Sequence, residues 1–353
     1  MPDPEVRFAR DGAWGMITLD RPKALNALTL DMVIRMRAQL AQWADDPAVK
    51  AVFIEGAGEK AFCAGGDIRW LHDTAKMDPS GPADFFRHEY ATNKLVFHFP
   101  KPYVALIDGI VMGGGVGVSV HGQFRIVGDR TLFAMPETGI GLIPDVGGGY
   151  FLPRLPGGLG FYYGLTGARA KAGDCLATGI ATHYVPTAKT DALRTDLLGL
   201  AFTGDTDPAG LVKNVLDRHG DTDIDQPIRV QTEEITHYFD GKESVDAIMA
   251  ALAVGTTDFA RDTHALLLRM SPTSLALTFE QLRRGAVLPF DAVMDMEYAL
   301  VSNIMAGDDF FEGVRALIID KDKTPRWSPA TLAEINRADV QAYFEPVPGP
   351  GLT

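Results

Sequence analysis

Two acidic residues, Glu137 and Asp145, stand apart in a stretch that is otherwise apolar and rich in glycine. They are the only charged residues between Thr131 and Pro153, and each directly follows a proline. A carboxyl group in an apolar environment has a raised pKa, and a second carboxylate nearby raises one of the two further. Such groups suit proton transfer or attack on a carbonyl carbon. The pattern favours a functional pair over the alternative, two acids on a solvated loop.

A third acid, Glu89, lies in a predicted helix that opens at Pro82 and runs to about Phe97. Phe85, Glu89 and Asn93 are spaced four residues apart, so Glu89 falls on an apolar stripe where charge is unexpected. Helical spacing leaves two interpretations open. Glu89 is either a buried functional carboxylate or a glutamate at the edge of the stripe that reaches solvent.

Two glycine clusters, at residues 64–68 and 113–115, each follow a predicted buried strand. Glycine allows the backbone to approach a ligand closely, and a helix N-terminus presents unpaired N–H groups. Two such N–H groups aimed at one oxygen form an oxyanion hole, in which one donor contributes about 2.7–4 kcal/mol to transition-state stabilisation. Tight turns are the alternative interpretation. Neither cluster matches a dinucleotide fingerprint or a phosphate-binding loop, and the chain has no H-E-x-x-H sequence.

Short β-branched runs alternate with helical periodicity over the first 200 residues, which predicts α/β layering. We expect strands at 14–19, 51–54, 103–107 and 124–127, and a helix from a Thr29 cap to about Asp45. The predicted organisation is a catalytic core at 1–205, a polar connection around one short helix at 206–226, a helical C-terminal module at 227–325 and a tail at 326–353.

The 353 residues carry a net charge of −13, which argues against general binding of nucleic acid or anionic membranes. The two cysteines, Cys63 and Cys175, have no metal-ligand spacing around them and are expected to be packed as small hydrophobic residues. No run of about 18 apolar residues occurs, so no membrane span is expected. Residues 1–12 do not have the pattern of a signal peptide, and we expect a cytoplasmic location.

Three segments resemble the crotonase superfamily: residues 61–68, the stretch from 101 through 113–115, and residues 135–137. The resemblance is closer still to a hydrolase branch of that superfamily, through residues 144–151, 271–274, 311–316 and 320–323. It covers about residue 6 to residue 327. The fold that it implies is α/β, with a crotonase-like spiral core of ββα turns and a helical C-terminal module.

The resemblance also implies a role for each candidate residue. Gly66 and Gly114 match the positions whose N–H groups hold a thioester oxygen, Glu137 and Asp145 match the two catalytic acids, and Glu89 matches a substrate-contacting glutamate. Gly114, Glu137 and Asp145 also belong to the implied substrate site. The implied contacts to coenzyme A are made by Ala64, Gly65, Gly66, Asp67 and Ile68.

One departure separates the branches of the superfamily. The hydratases that this chain resembles carry a second catalytic glutamate two residues after the glycine triplet, whereas this chain has Gly117 at that position. Those hydratases usually have glycine at the position of Asp145. The exchange favours hydrolysis over hydration. The substrate that the resemblance implies is a short 3-hydroxyacyl-CoA thioester, foremost 3-hydroxyisobutyryl-CoA in valine breakdown. Hydration or isomerisation of an enoyl-CoA is the first alternative, and non-catalytic binding of a CoA ester is the second.

The expected partner is an acyl-CoA substrate, with no metal, cofactor, nucleic acid or membrane. Because members of the superfamily often form trimers, a homo-oligomer is a further expectation. Glu137 could attack the carbonyl carbon to give a mixed anhydride, or it could activate water as a general base; the sequence leaves both routes open.

Overall fold

The computed structural model describes residues 4–77, 80–203, 207–347 and 351–352, which cluster into two compact units. The first unit is formed by residues 1–66, 91–133 and 170–229, and the second by residues 67–90, 134–169 and 230–353. Each unit is therefore assembled from three separate segments of the chain. The linear domain boundaries given above stay a prediction; residues 204–206 of the predicted connection and 348–350 and 353 of the predicted tail lie outside the described residues.

Within the described residues, ten strands form two sheets, and all of them lie in the first unit except for Ala134 at the end of β8. The strands are β1 Val6–Asp11, β2 Trp14–Leu19, β3 Ala51–Gly56, β4 Ala61–Cys63, β5 Tyr103–Ile107, β6 Ile110–Met112, β7 Phe124–Val127, β8 Leu132–Ala134, β9 Ala170–Lys171 and β10 His183–Tyr184. The four strands predicted from the sequence are confirmed, and the second of them extends to Gly56.

Sixteen α-helices are present in the same described part of the chain. They are α1 Leu30–Asp45, α2 Ile68–Met77, α3 Ser80–Phe97, α4 Gly114–Gly117, α5 Gly148–Phe151, α6 Leu159–Thr166, α7 Ala172–Thr178, α8 Thr190–Leu198, α9 Pro208–His219, α10 Ile228–Phe239, α11 Val245–Ala253, α12 Asp258–Leu267, α13 Pro272–Gly285, α14 Phe290–Ile304, α15 Asp309–Val314 and α16 Arg337–Ala342. None of the described helices is long and apolar enough to cross a membrane.

The larger sheet of the first unit has six strands in the order β1-β2-β3-β5-β7-β10. Only β1 runs antiparallel to its neighbour, and the other pairs are parallel. The smaller sheet has the order β4-β6-β8-β9, with β4 parallel to β6 and β8 antiparallel to β9. Since β5 and β6 are separated by only two residues yet lie in different sheets, the chain alternates between the two sheets as it advances.

Apolar side chains from the strands and from helices α8 and α9 form the core of the first unit. Trp14, Phe53 and Val104 supply it from three neighbouring strands, and Leu216 supplies it from α9. As predicted, α1 is capped by Thr29, whose side chain accepts a hydrogen bond from the Met32 amide. The side chains on the buried face of α1 are Met32, Val33, Met36, Leu40 and Trp43.

The second unit is helical apart from loops and short 3₁₀ or π turns in the residues described. Helix α13 is its central element, and it packs against α5, α6, α11, α14 and α16. The predicted helix start at residues 271–274 is confirmed, because Ser271 caps α13 by accepting a hydrogen bond from the Ser274 amide. The helix expected from Pro82 begins at Ser80 and ends at Phe97 as predicted.

Candidate active site

The turn that carries Glu137 is held from several sides within the second unit. Glu137 begins a 3₁₀ turn, Glu137–Ile140, which closes at Gly141 with a left-handed φ of 75°. The Ser271 amide donates a hydrogen bond to the Thr138 carbonyl oxygen over 3.1 Å. A Cβ on Gly141 would lie 2.3 Å from the Asp309 carbonyl oxygen, so only glycine fits there. These contacts fix the backbone of a glutamate whose side chain is buried.

Asp145 follows in the loop between this turn and α5. Its side chain is buried, and the next two residues both have left-handed backbone, with φ of 50° at Val146 and 86° at Gly147. A positive φ is unusual for a β-branched residue and costs on the order of 1–3 kcal/mol, so surrounding contacts must hold it. The prediction that Glu137 and Asp145 are buried rather than on a solvated loop is confirmed by their exposures of 6% and 4%.

Helix α3 brings two further polar residues to the buried side of the second unit. Glu89 is 2% exposed and Tyr90 is fully buried, so the buried alternative for Glu89 is confirmed. The Tyr90 hydroxyl donates a hydrogen bond of 2.6 Å to Asp145 Oδ2. Tyr90 was not among the residues singled out from the sequence, because a tyrosine beside a buried phenylalanine run is ordinary core composition.

The three carboxyl groups interact electrostatically. Burial raises the pKa of Glu89 well above its usual value, and the charges of Asp145 and Glu137 raise it further. Burial, followed by the charge of Asp145, likewise raises the pKa of Glu137 well above its usual value. Burial also raises the pKa of Asp145, to about 6, against the opposing effect of the hydrogen bond from Tyr90.

Two carboxyl oxygens in this cluster are buried without a hydrogen-bond partner among the described residues: Glu89 Oε1 and Glu137 Oε2. A buried, unsatisfied polar atom is costly and calls for an explanation such as a catalytic role or a ligand. Chemically, Glu137 can act as a base or nucleophile when ionised, and a protonated Glu89 can donate a hydrogen bond.

A fourth buried acid, Glu297 on α14, was also missed at the sequence level. It accepts hydrogen bonds from the Gly147 and Gly149 amides, both of 2.7 Å, and from Gln281 Nε2 at 3.0 Å. Its burial is predictable in the same way as that of Glu89, because Glu297 shares its helical face with apolar side chains, those of Val293, Met294, Leu300 and Val301.

The predicted oxyanion donors both lie in the first unit, and their segments adjoin there. Gly114 is the first residue of α4, and a Cβ on Gly65 would lie 3.8 Å from the Gly114 nitrogen. Gly65 has a φ of 110°, and its carbonyl oxygen accepts a hydrogen bond from the Leu28 amide. The Gly66 and Gly114 N–H groups make no hydrogen bond to any described residue, as a donor pair for a ligand requires.

The residues predicted to contact coenzyme A divide between the units. Ala64, Gly65 and Gly66 belong to the first unit, whereas Asp67 and Ile68 belong to the second, where Ile68 begins α2. Asp67 Oδ1 accepts a hydrogen bond of 3.2 Å from the Trp70 amide, so its side chain supports the first turn of α2.

A cavity of about 760 Å³ lies in the second unit. Gly139, two residues after Glu137, forms part of its wall, together with the cations Arg269, Lys323 and Arg326. The remaining wall is mainly apolar and includes Leu268, Met270, Leu317, Pro325 and Trp327. A cavity with this lining suits a ligand that combines negative charge with apolar or ring surface.

The described residues contain no group of three or more His, Cys, Asp or Glu side chains arranged to hold a metal ion. Both cysteines are buried, and burial raises the pKa of the Cys175 thiol. A thiol in that setting is not a reactive nucleophile.

A family model described as enoyl-CoA hydratase/isomerase matches residues 14–344. The chain belongs to this family. Membership confirms the crotonase-like fold expected from the sequence. A carnitinyl-CoA dehydratase from Mycobacterium thermoresistibile is 40% identical, covers 99% of both chains and superposes with a TM-score of 0.91. An enoyl-CoA hydratase from Rhodobacter sphaeroides is 38% identical, covers 99% of this chain and 100% of its own, and has a TM-score of 0.88.

Within the family, the chain is similar to proteins named mitochondrial 3-hydroxyisobutyryl-CoA hydrolase. The Danio rerio protein is 49% identical over 341 residues, covering 96% of this chain and 89% of the relative. The Homo sapiens protein is 46% identical over 345 residues, covering 97% and 88%. The close resemblance to a hydrolase branch of the family is thereby confirmed.

Proposed function

We propose that this protein hydrolyses a short 3-hydroxyacyl-CoA thioester, foremost 3-hydroxyisobutyryl-CoA, to the free hydroxy acid and coenzyme A. The observation that carries the proposal is the buried pair Glu137 and Asp145, in a chain about half identical to relatives that bear the hydrolase name. Valine catabolism is the pathway that this substrate suggests, and it is part of the proposal.

The proposed oxyanion donors are the Gly66 and Gly114 N–H groups. Their lack of hydrogen-bond partners among the described residues supports this role, because a donor already bonded within the protein is not available to substrate. Two N–H groups directed at the thioester oxygen stabilise the negative charge that develops when the carbonyl carbon becomes tetrahedral.

Glu137 is the proposed nucleophile or general base. In the first route a Glu137 oxygen bonds to the carbonyl carbon, the C–S bond breaks with CoA leaving as thiolate, and water then hydrolyses the resulting anhydride. In the second route Glu137 takes a proton from the water that attacks the carbonyl carbon, and the C–S bond then breaks with CoA leaving as thiolate. The unpartnered Oε2 supports either route. Single turnover in ¹⁸O-water separates them, because label enters Glu137 only through the anhydride.

Glu89 and Asp145 are the proposed contacts to the hydroxyl of the acyl group or to the attacking water. The raised pKa of Glu89 favours its protonated form, which donates a hydrogen bond, whereas Asp145, whose pKa is raised to about 6, accepts one when it is ionised. A donor and an acceptor together would recognise a hydroxyl group better than a methyl group.

The cavity lined by Arg269, Lys323 and Arg326 is the proposed site for the nucleotide part of coenzyme A, in addition to the segment 64–68. Its cations match the phosphate charge of CoA, and Trp327 offers an aromatic face. Local cations of this kind let an acidic protein bind an anionic ligand.

Hydration or dehydration is the second candidate function, favoured by the names of the two solved structures that resemble this chain. Against it stands Gly117, which is buried in α4 and has no side chain to act as the second catalytic group. Adding crotonyl-CoA as a substrate distinguishes the reactions, since hydration consumes the double bond without releasing CoA.

The deciding experiment measures release of free CoA with a thiol reagent from 3-hydroxyisobutyryl-CoA, for wild type, Glu137→Gln and Asp145→Asn. Release by wild type that is lost in both variants supports the proposal. Glu280→Gln is the control, since Glu280 is an acid engaged with Arg283 and Arg284 on α13. Hydration of crotonyl-CoA without CoA release would favour the second candidate, and tight binding without turnover would indicate a CoA-ester binding protein.

We propose a cytoplasmic location; the vertebrate relatives carry the word mitochondrial in their names, so fractionation of expressing cells is the appropriate test. We also propose self-association into a homo-oligomer, which light scattering of the purified protein would measure.

A further inference from the structure

Glu297 accepts three hydrogen bonds, two of them from backbone amides that follow Asp145 and the third from Gln281 on α13. Its Oε2 accepts from the Gly147 amide and its Oε1 from the Gly149 amide, both at 2.7 Å. Gln281 Nε2 donates to Glu297 Oε1 at 3.0 Å and to the Pro144 carbonyl oxygen at 2.8 Å. The backbone is thus held immediately before Asp145, at Pro144, and two residues after it, at Gly147.

The contacts are close enough to define the backbone path. A Cβ on Gly149 would lie 2.9 Å from Glu297 Oε1, and a Cβ on Gly285 would lie 1.9 Å from the Gly149 carbonyl oxygen. Helix α13 therefore approaches the loop backbone directly at Gly285. The left-handed conformation of Val146 lies between the two held points, and a local β-branched side chain does not favour it.

We propose that Glu297 is a positioning residue for Asp145, acting with Gln281 as a clamp on residues 144–149. The inference rests on the proposed hydrolase function and adds to it two residues that do not touch the reacting atoms. Through this clamp, α13 and α14 set the direction in which Asp145 presents its carboxylate to substrate.

The ionised carboxylate of Glu297 fits this geometry. Burial raises its pKa to about 8, against the lowering effect of the hydrogen bonds from Gly147, Gly149 and Gln281. All three neighbours of the Glu297 oxygens are N–H donors, and a carboxylate offers only acceptors. In a Glu297→Gln variant one oxygen is replaced by an NH₂ group, which faces a donor instead of accepting from it. The substitution changes almost no volume, so it removes a hydrogen bond while leaving the packing of α14 in place.

The kinetic test is a double-mutant cycle of Glu297→Gln with Asp145→Asn, read in single turnovers with enzyme in excess so that slow rates are measurable. Glu297→Gln alone should lower the rate about 100-fold with a small change in KM, as expected for a displacement near 1 Å. In the Asp145→Asn background it should have little further effect, because the residue acts through Asp145.

Asp174→Asn is the matched control. Asp174 is also a buried carboxylate, and it accepts hydrogen bonds from two backbone amides, those of Lys171 and Ile228, but it lies in the first unit. The Asp174→Asn variant should lose about as much thermal stability as Glu297→Gln, yet its turnover rate should equal that of wild type. Equal rate losses in both variants, or additive losses in the cycle, would overturn the inference.

Hydrogen exchange provides a readout that is independent of any substrate. Amides of the segment 146–149 should exchange about ten-fold faster in Glu297→Gln than in wild type, which corresponds to losing one hydrogen bond. The same segment should be unchanged in Asp174→Asn. If wild type hydrolyses no thioester, the proposed function fails and the exchange data alone decide the clamp; unaltered protection in Glu297→Gln contradicts it.

Discussion

The Tyr90 hydroxyl donates a hydrogen bond of 2.6 Å to Asp145 Oδ2, joining residues 55 positions apart in the chain. Both side chains are buried, so this bond is made away from competing water. It orients one carboxyl oxygen of Asp145 and lowers the pKa of that group against the effect of burial. Tyr90 therefore acts on both the direction and the charge of Asp145.

Replacing Tyr90 by phenylalanine should weaken catalysis through Asp145. Without the donor, the pKa of Asp145 should rise above about 6, so the ionised form appears at higher pH. We expect about a ten-fold loss of kcat, the effect of removing one hydrogen bond to a charged group. The measurement is kcat against pH. Tyr103→Phe is the control, because Tyr103 is another buried tyrosine whose hydroxyl donates, there to the Val118 carbonyl; a similar loss in both variants would contradict the prediction.

Activity should depend on pH through Glu137. The group must be ionised to attack carbon or to accept a proton, and burial together with Asp145 raises its pKa well above the usual 4.5. The value of kcat/KM should consequently increase with pH, with a midpoint clearly above 4.5. In the residual activity of Asp145→Asn that midpoint should move to lower pH, since one repelling charge is gone. A midpoint in the ordinary carboxylate range would refute this assignment.

Asp145 should make the folded protein less stable as pH rises. Its pKa is raised from 3.8 to about 6 in the folded state, so the favourable contribution of the protonated form is complete below 3.8 and is lost as pH rises through 6. Over that interval the loss is up to about 3 kcal/mol. Urea unfolding of wild type and Asp145→Asn at several pH values measures it. The free energy of unfolding of Asp145→Asn should increase relative to that of wild type across this interval. A difference between the two proteins that does not change with pH would count against burial as the cause.

Replacing Gly115 by alanine should disturb the proposed oxyanion donors. A Cβ at that position would lie 2.3 Å from the Cys63 carbonyl oxygen, so the start of α4 must move. We expect a destabilisation of about 1–3 kcal/mol and a fall in kcat, with KM less affected. In the control Gly307→Ala the nearest atom would be at 3.5 Å, an ordinary contact. Thermal unfolding and steady-state kinetics of both variants test the prediction. Equal losses of stability and kcat in Gly115→Ala and Gly307→Ala would contradict it.

Removing cations from the cavity should weaken binding of the CoA ester selectively. Lys323→Gln and Arg326→Gln should each raise KM for the CoA ester by about ten-fold, the cost of one charged hydrogen bond. For the N-acetylcysteamine thioester of the same acid, which lacks the nucleotide phosphates, KM should be unchanged. Lys213→Gln, whose parent lysine pairs with Asp217, is the surface control. An equal rise for both thioesters would place the phosphates elsewhere.

Features that depend on neighbouring residues in the chain could be predicted from the sequence. Thr29 before an apolar period predicted the start of α1, and the helix ends at Asp45 as expected. Two isolated acids in an apolar, glycine-rich stretch predicted the burial of Glu137 and Asp145. The position of Glu89 on an apolar helical stripe allowed two alternatives, and the structure confirms the buried one.

The supporting residues could not be predicted, because their roles depend on contacts between distant segments. Nothing near Tyr90 in the sequence indicates that its hydroxyl faces Asp145, and the partners of Gly147 and Gly149 come from a helix about 150 residues later. A buried acid could have been inferred at Glu297 from its helical face. The backbone amides that donate hydrogen bonds to Glu297 could not be inferred, since every residue except proline carries such an amide.

Residues 144–149 are synthesised well before Gln281 and Glu297, the two residues that clamp them. The ribosome delivers Gly147 150 residues before Glu297, so residues 144–149 emerge before the side chains that hold them. A nascent chain or proteolytic fragment that stops before α13 contains Glu89, Glu137 and Asp145 but lacks Gln281 and Glu297. Such a fragment carries the full set of proposed reacting acids without the two residues that orient one of them, so the proposed activity requires that α13 and α14 have been made.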